Sequence, residues 1–600
     1  MNCKDKKLYF FLFFVWMANV AVVSAICNVS SNLSCEQECD QECSESKNFW
    51  YPRSFSSYQY HDLFQMKHTH PSEKRDGKLN ISFLTEYMQN FGGKCDSCKN
   101  LGSMPFWSGT NQLTIGNNDG KAQLDAYQLG LGNIKTDENG IGGIIQLDPR
   151  VESIGTDMMM YWVQKAEERG LYFRLHAPIG GIRIAPRLED IQAIQPDDKV
   201  GFSQVPSGGG ESFNYEFSNY PTPSNRYQTV SEAFSGGSLC SDILDGIIGK
   251  TVAIHYGRIS PDTQAIIRLA DIAATLGYNV YVDEKGWAGL GFKVSFPTGN
   301  VPQAVYMLEP IYGRAGLWGV GGEVTALYQF WENQTGNSRL TVSLQGEVEH
   351  LMHGRTPSMR SFDLKKNGKG SKYLLVQQYS SGYANNSDTE IVLPGYITSA
   401  VDITTLPVFS NFAVEGAIAV MLDFAWDNWN IALGGEFWGR STEKLSIDIV
   451  MAIDKGYENL NNFAVLGRQL SSYTIPGNIP LILDTYYCEP LAKINQSQNA
   501  VILSGTYPNN LSEPTKVPEG IKDARLSENR IPAKLNEALD ICGASVSKVF
   551  TGKIFTHLGY NWKDCDYSPS IALVGGAEFT NNTNNAIQLW SVGFQGSLNF

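Results

Sequence analysis

The amino-acid sequence predicts an all-β protein: a transmembrane antiparallel up-and-down β-barrel of about 14 strands, with 12 the alternative, carrying long loops or a plug. Three observations predict it. Segments of roughly 11–16 residues alternate apolar with polar or small side chains, whereas strands of globular sheets run to about 5–6 residues. Aromatic residues gather at the segment ends, as with Phe330 and Trp331, Trp426 and Trp429, Phe437 and Trp438, and Tyr560 and Trp562, where amphipathic rings suit a membrane–water interface. The non-greasy faces carry glycine, Ser/Thr and carboxylates, which fits a hydrated interior better than the second buried core of a sandwich. Composition agrees. The 600 residues include 58 glycines, 12% aromatic and 18% charged side chains, which excludes disorder and helical bundles. The net charge is −14, so a nucleic-acid-coating surface is excluded and no nucleic-acid partner is expected.

The elements follow in chain order. Lys4, Lys6 and Lys7 precede the apolar run 8–21, and Val23-Ser24-Ala25 places small residues before a cut after Ala25; residues 1–25 therefore read as a signal peptide. Residues 26–79 read as a cysteine-rich periplasmic stub or plug. Ten cysteines remain after the cut, at 27, 35, 39, 43, 95, 98, 240, 488, 542 and 565, an even number in an exported chain that suits disulfides of undetermined pairing. The barrel is expected over 80–600. Segments 80–91, 123–131, 158–165 and 171–179 give its first strands. An insertion at 183–263, with a glycine cluster at 207–210 and a helix-like 230–248, reads as a loop or internal plug. The alternation resumes at 270–281, 286–296, 317–331, 338–351 and 412–426. Trp426-Asp427-Asn428-Trp429 turns the chain into 429–437. A second insertion, 441–549, separates that strand from 550–562, 571–579 and 590–600. No segment beyond the N-terminus offers the about 20 consecutive apolar residues of a membrane helix. Counting back from a periplasmic Phe600 puts 441–549 outside and the two-residue turn 427–428 inside, in keeping with long outer loops and short inner turns.

The last strand alternates most clearly. Trp590, Val592, Phe594, Leu598 and Phe600 face one way and Ser591, Gln595, Ser597 and Asn599 the other. This ending resembles the C-terminal assembly signal of Gram-negative outer-membrane barrels, which implies the barrel assembly machinery and outer-membrane lipid as partners. The stretch Leu269-Ala270-Asp271-Ile272 to Leu276-Gly277-Tyr278, then Gly289-Leu290-Gly291-Phe292 and Phe296-Pro297-Thr298-Gly299-Asn300, is similar to barrels linked to meta-pathway phenol degradation. Those are akin to fatty-acid and hydrocarbon channels. The resemblance spans about forty residues and implies passive uptake of small, often apolar solutes across the bacterial outer membrane. The cysteine-rich N-terminal stretch and the long insertion at 441–549 depart from that group.

Chemical motifs are few. Gly246-Ile247-Ile248-Gly249-Lys250-Thr251 has Leu244 where a phosphate loop needs glycine, and no G-x-S-x-G occurs. His350-x2-His353 falls on the lipid-facing register near a strand end and reads as an interfacial pair, so no metal, no cofactor and no catalytic residue is expected. The inward-facing positions carry the readable chemistry: Asp271, Glu323, Glu347, Glu349, Glu415, Glu436 and Glu578 against Lys293, Arg339, Arg440 and Lys553, with His557 beside them. One account is a ladder of ion pairs filling a narrow barrel; the other is a conduit with a net negative field. The expectation is a passive channel for a small-molecule solute. The alternatives are a surface-exposed structural or adhesive barrel acting through its loops and, more distantly, a barrel hydrolase.

Overall fold

A computed structural model describes residues 53–66, 78–91, 106–164, 168–196, 227–236, 254–383, 390–454, 460–475, 479–488, 503–506, 535–562, 567–580 and 586–600, less 118–121, 127 and 132–133. The signal-peptide segment and most of 26–79 lie outside them. So do all cysteines of the exported chain except Cys488 and Cys542.

Twelve strands form a closed antiparallel ring in which every strand pairs with its sequence neighbours. They are β1 (Lys78–Asn90), β2 (Arg150–Val163), β3 (Leu171–Ala185), β4 (Ile272–Asp283), β5 (Gly286–Phe296), β6 (Leu317–Glu332), β7 (Ser338–His353), β8 (Thr405–Trp426), β9 (Trp429–Arg440), β10 (Val549–Asn561), β11 (Ser570–Thr580) and β12 (Leu589–Asn599). The ring closes where β12 meets β1, with Asn599 opposite Asn80 and Leu589 opposite Asn90. Closure leaves no open edge around the ring, the condition for a sheet surrounded by lipid.

The ring therefore has the lower of the two expected strand counts. Segment 123–131 is not a barrel strand. Only Leu124–Asp125 is extended, and the chain then turns on Gly130 at φ 74° with the Leu131 N–H donating to the Ala126 carbonyl. The helix expected over 230–248 is described as Val230–Ser235; Thr229 accepts from the Glu232 N–H at its start and Gly236, at φ 81°, ends it. The start of the strand expected over 270–281 is broken at Ala270 and Asp271, and the chain before the break, Gln264–Leu269, continues the pairing with β3.

Alternation puts apolar side chains outside. On β9 and β10 the exposed large apolar residues are Trp429, Ile431, Leu433, Phe437, Ile554 and Leu558, while Thr551, Lys553, Phe555 and His557 point inward and are buried. Exposed apolar groups on every second position of a closed ring are what lipid tails require. Two aromatic belts bound this surface. At one rim Trp429 packs on Tyr560, Tyr560 on Trp562 and Tyr567 on Phe600. At the other, Phe296 packs on Trp318, Phe437 on Phe550, Phe91 on Phe579 and Tyr87 on Trp590.

The first rim carries the short connections, including Glu284-Lys285 and Asp427-Asn428; it is called the turn side here. The other, the loop side, carries 91–149, 186–263, 297–316, 354–404 and 441–548. Gln112–Gly116, Leu124–Asp125, Ile141–Leu147 and Leu188–Gln192 form one small loop-side sheet. Leu375–Tyr383, Glu390–Ser399, Phe463–Ile475, Ile479–Cys488 and Leu503–Thr506 form another. β8 runs past its ring partners on the loop side, where Ser358–Ser361 and Glu443–Ile447 flank it. No described helix is long and apolar enough to cross a membrane; strands do the crossing.

Candidate functional site

The lumen is filled from the N-terminal side of the chain. Residues Phe55–Ser57 form a helical turn and Gln59–Met66 a helix, α1, with all eight residues buried. A helix buried on every face needs partners for its polar groups, and the ring supplies them for His61, Asp62 and the first backbone N–H groups. Arg53 binds Glu436 and lies 3.4 Å from Glu578, near the loop-side ends of β9 and β11. The backbone N–H groups of Gln59 and Tyr60 donate to Glu436, placing a carboxylate at the positive end of the helix. At the other end, the Thr325 hydroxyl lies 3.1 Å from the Met66 sulfur, halfway down β6.

Aromatic packing fixes the helix against β10. Tyr60 stacks on Phe555 with centroids 5.2 Å apart, and Phe64 meets Phe555 at 5.6 Å and His557 at 4.7 Å. Gly434 on β9 makes room for that ring: a Cβ there would stand 2.3 Å from Phe555.

The centre of the plug is a cluster of ionisable groups. His61 Nδ1 lies 3.0 Å from Asp157 and Nε2 3.4 Å from Glu86. His176 Nδ1 lies 2.9 Å from the same Asp157 oxygen and Nε2 2.6 Å from Asp62. Arg174 is 3.3 Å from Asp62 and 3.4 Å from Glu323. Tyr60 donates to Glu86, and Lys553 lies 3.7 Å from Glu86 and 2.8 Å from the Tyr60 hydroxyl. Burial opposes a charged His61, yet the hydrogen bonds to Asp157 and Glu86 outweigh it and raise its pKa above the ordinary value. Burial likewise opposes an ionised Asp62, but Arg174 and His176 hold its carboxyl well below the usual range.

The expected inward-facing residues are distributed as follows. Glu323 receives Tyr172, Arg174, Thr275 and Gln345. Lys293 pairs with Glu347 and lies 3.7 Å from Glu349. Glu349 also receives Arg314 at 2.6 Å, and Arg314 reaches Glu415 at 3.1 Å. Arg440 stands 3.8 Å from Glu415. His557 contacts Gln595 and Asn430, and Glu578 accepts from Thr551. Asp271 sits in the break before β4 and accepts from Ser54. Arg339 is half-buried at the turn-side end of β7, opposite Glu332, apart from the others. His350 is exposed, its ring nitrogen 2.9 Å from the Ala413 carbonyl. Val592, Phe594, Leu598 and Phe600 are exposed on the outer face and Trp590 is half-buried.

Arg53, His61 and Asp62 of the plug, Glu86, Asp157, Arg174 and His176 of β1–β3, and Arg314 of the connection 297–316 escaped the sequence reading. Arg174 and His176 alternate with Phe173 and Leu175, so the phase of β3 would have exposed them. Nothing in the local pattern of 53–66 announces a lumenal helix.

On the loop side of the plug lies a small cavity of about 80 Å³. Phe55, Tyr58, Met88, Val151, Ile182, Ile311, Tyr312, Trp438, Ile587 and Leu589 give it a mainly apolar, aromatic lining, and Arg53, Gln89, Asn90, Ser153, Thr551 and Glu578 supply the polar groups. Ile311 and Tyr312 come from the connection 297–316, which folds inward over the plug. Among the described residues no group of three or more His, Cys, Asp or Glu is placed to hold a metal ion.

No protein-family model matches the chain, and no curated protein matches it. Among solved structures it is similar to an outer-membrane channel of Pseudomonas putida F1, at 7% identity and a TM-score of 0.33 over 88% of this chain and 96% of that one. It is also similar to a FadL homologue of Pseudomonas aeruginosa, at 9% identity and a TM-score of 0.25 over 92% and 98%. A third is the toluene transporter TbuX of Ralstonia pickettii, at 6% identity and a TM-score of 0.19 over 88% and 91%.

Proposed function

We propose that this chain is a passive outer-membrane channel for small, largely apolar and uncharged solutes, exported by its first 25 residues and inserted by the assembly machinery through its last strand. The observation that supports this reading is the aromatic cavity inside a closed, lipid-facing ring, with the plug beneath it. An apolar lining of this kind favours solutes that lose little hydration on entry, and buried carboxylates disfavour anions. The loop side is then the outer face. His61 and His176 each have both ring nitrogens against carboxylates, which leaves neither as a general base for a hydrolase. The test is flux of neutral aromatic compounds, sugars and anions into liposomes carrying the full chain. Preferential entry of the neutral aromatics is expected; equal exclusion of all three, with the barrel folded, would overturn the reading.

The loop-side sheets favour a second reading, a surface barrel that binds a partner outside. If so, removing 441–548 would abolish binding to intact cells and leave flux unchanged.

A further inference from the structure

The histidine cluster does more than fill space. Each imidazole is clamped between carboxylate oxygens from two different elements: His61 of α1 between β2 and β1, and His176 of β3 between β2 and the plug's own Asp62. An ionised carboxylate only accepts hydrogen bonds, and a neutral imidazole has one donor and one acceptor nitrogen. Both contacts of either ring are satisfied only when the ring carries two N–H protons. With one, a lone pair faces a carboxylate oxygen at a buried position.

We propose that His61 and His176 form a protonation-dependent latch that holds α1 seated in the lumen while both rings are imidazolium and frees it when a proton is lost. The proposal rests on the channel reading above, since it describes what closes that channel.

The charges around the latch support it. Arg174, Lys553 and the two imidazolium rings stand against Asp62, Glu86, Asp157 and Glu323, and these balance. Removing one proton leaves an uncompensated buried negative charge, which strongly destabilises an ionic cluster. The other charged groups packed around α1 have partners of their own. Glu436 on β9 takes Arg53 and the helix N-terminus. Lys293 on β5 is held by Glu347 on β7, and Tyr60 is hydrogen-bonded to Glu86. The raised pKa of seated His61 sets the direction. A group whose pKa rises on seating stabilises the seated state fully below its free value, near 6.5, and that stabilisation disappears as pH climbs through the seated value. The plug therefore opens on the alkaline side.

Two measurements on the full chain in lipid test this: bilayer conductance, and backbone hydrogen exchange of residues 59–66 corrected for intrinsic rate, each between about pH 6 and about pH 9.5. The wild type is expected to show protected amides and low conductance at the acid end, and exposed amides and high conductance at the alkaline end. Each pH unit between the free and seated pKa changes the seated-to-released ratio by up to about tenfold per proton. His61→Gln and His176→Gln, checked for heat-modifiable migration, should show the released behaviour at both ends. Protection of 59–66 that ignores pH in the wild type would overturn the latch, as would variants whose profiles match the wild type. A chain lacking 59–66 separates the two claims. If it stays silent at every pH the channel reading fails, while the exchange data still decide the latch.

Discussion

Single side chains divide this barrel into groups that meet lipid, groups that meet the plug and groups that do both jobs by turns along one strand. On β10, Ile554 and Leu558 are exposed while Lys553, Phe555 and His557, their neighbours, are buried. Phe64→Ala would remove a ring packed on Phe555 and His557. The expected cost to seating is about 3–5 kcal/mol, as for other buried Phe truncations, read as faster hydrogen exchange over 59–66 and higher conductance at neutral pH. Lys553→Met would leave Glu86 with His61 as its remaining buried counter-charge. Losing one partner of such a pair costs about 3–5 kcal/mol, and a lowered denaturation midpoint in detergent would show it. On the opposite face, Leu433→Arg would set a charge among lipid tails at a cost of about 2–4 kcal/mol near the bilayer midplane, measurable as weaker folding into vesicles. Leu433→Ile should fold as the wild type does.

The elements were legible in proportion to how local their causes are. β5, β9 and β12 display their two faces in alternate letters, because lipid on one side and packed polar groups on the other act on each residue separately. β4 was harder, since the break at Ala270–Asp271 interrupts an otherwise apolar run and Asp271 answers to Ser54, far away in sequence. Segment 123–131 imitated a strand because Leu124, Ala126, Leu129 and Leu131 are buried without alternating to lipid. The plug was least legible of all. Its identity comes from Glu436, Lys553 and Glu578, up to 525 residues distant from their partners, and no window of sequence contains both ends of such a bond. Most of the inward-facing charged groups follow strand phase, whereas two of the cations that answer them, Arg53 and Arg314, sit outside regular strands. Deleting 59–66 is expected to raise conductance while leaving the heat-modifiable gel shift intact; loss of that shift would mean that the helix is part of the ring's own stability.

At the scale of the whole molecule, the short connections on one rim and the long ones on the other give the barrel a direction. The loop side is built up by two further sheets and by the overlong β8, so it presents much of the chain's non-barrel mass on one face. Shortening 441–548 to a tight turn should leave β9 and β10 paired, because their register runs unbroken from Trp429 opposite Tyr560 to Arg440 opposite Val549. Protease resistance of the remaining ring in vesicles would show this. The plug also carries a sense of time. It precedes β1, yet the groups that grip it belong to strands near both ends of the chain, so its berth exists only after the final strands have arrived. Contacts of such sequence separation form last. The first described helix to be synthesised must be among the last to settle, and a chain stalled short of its closing strand would remain unstoppered.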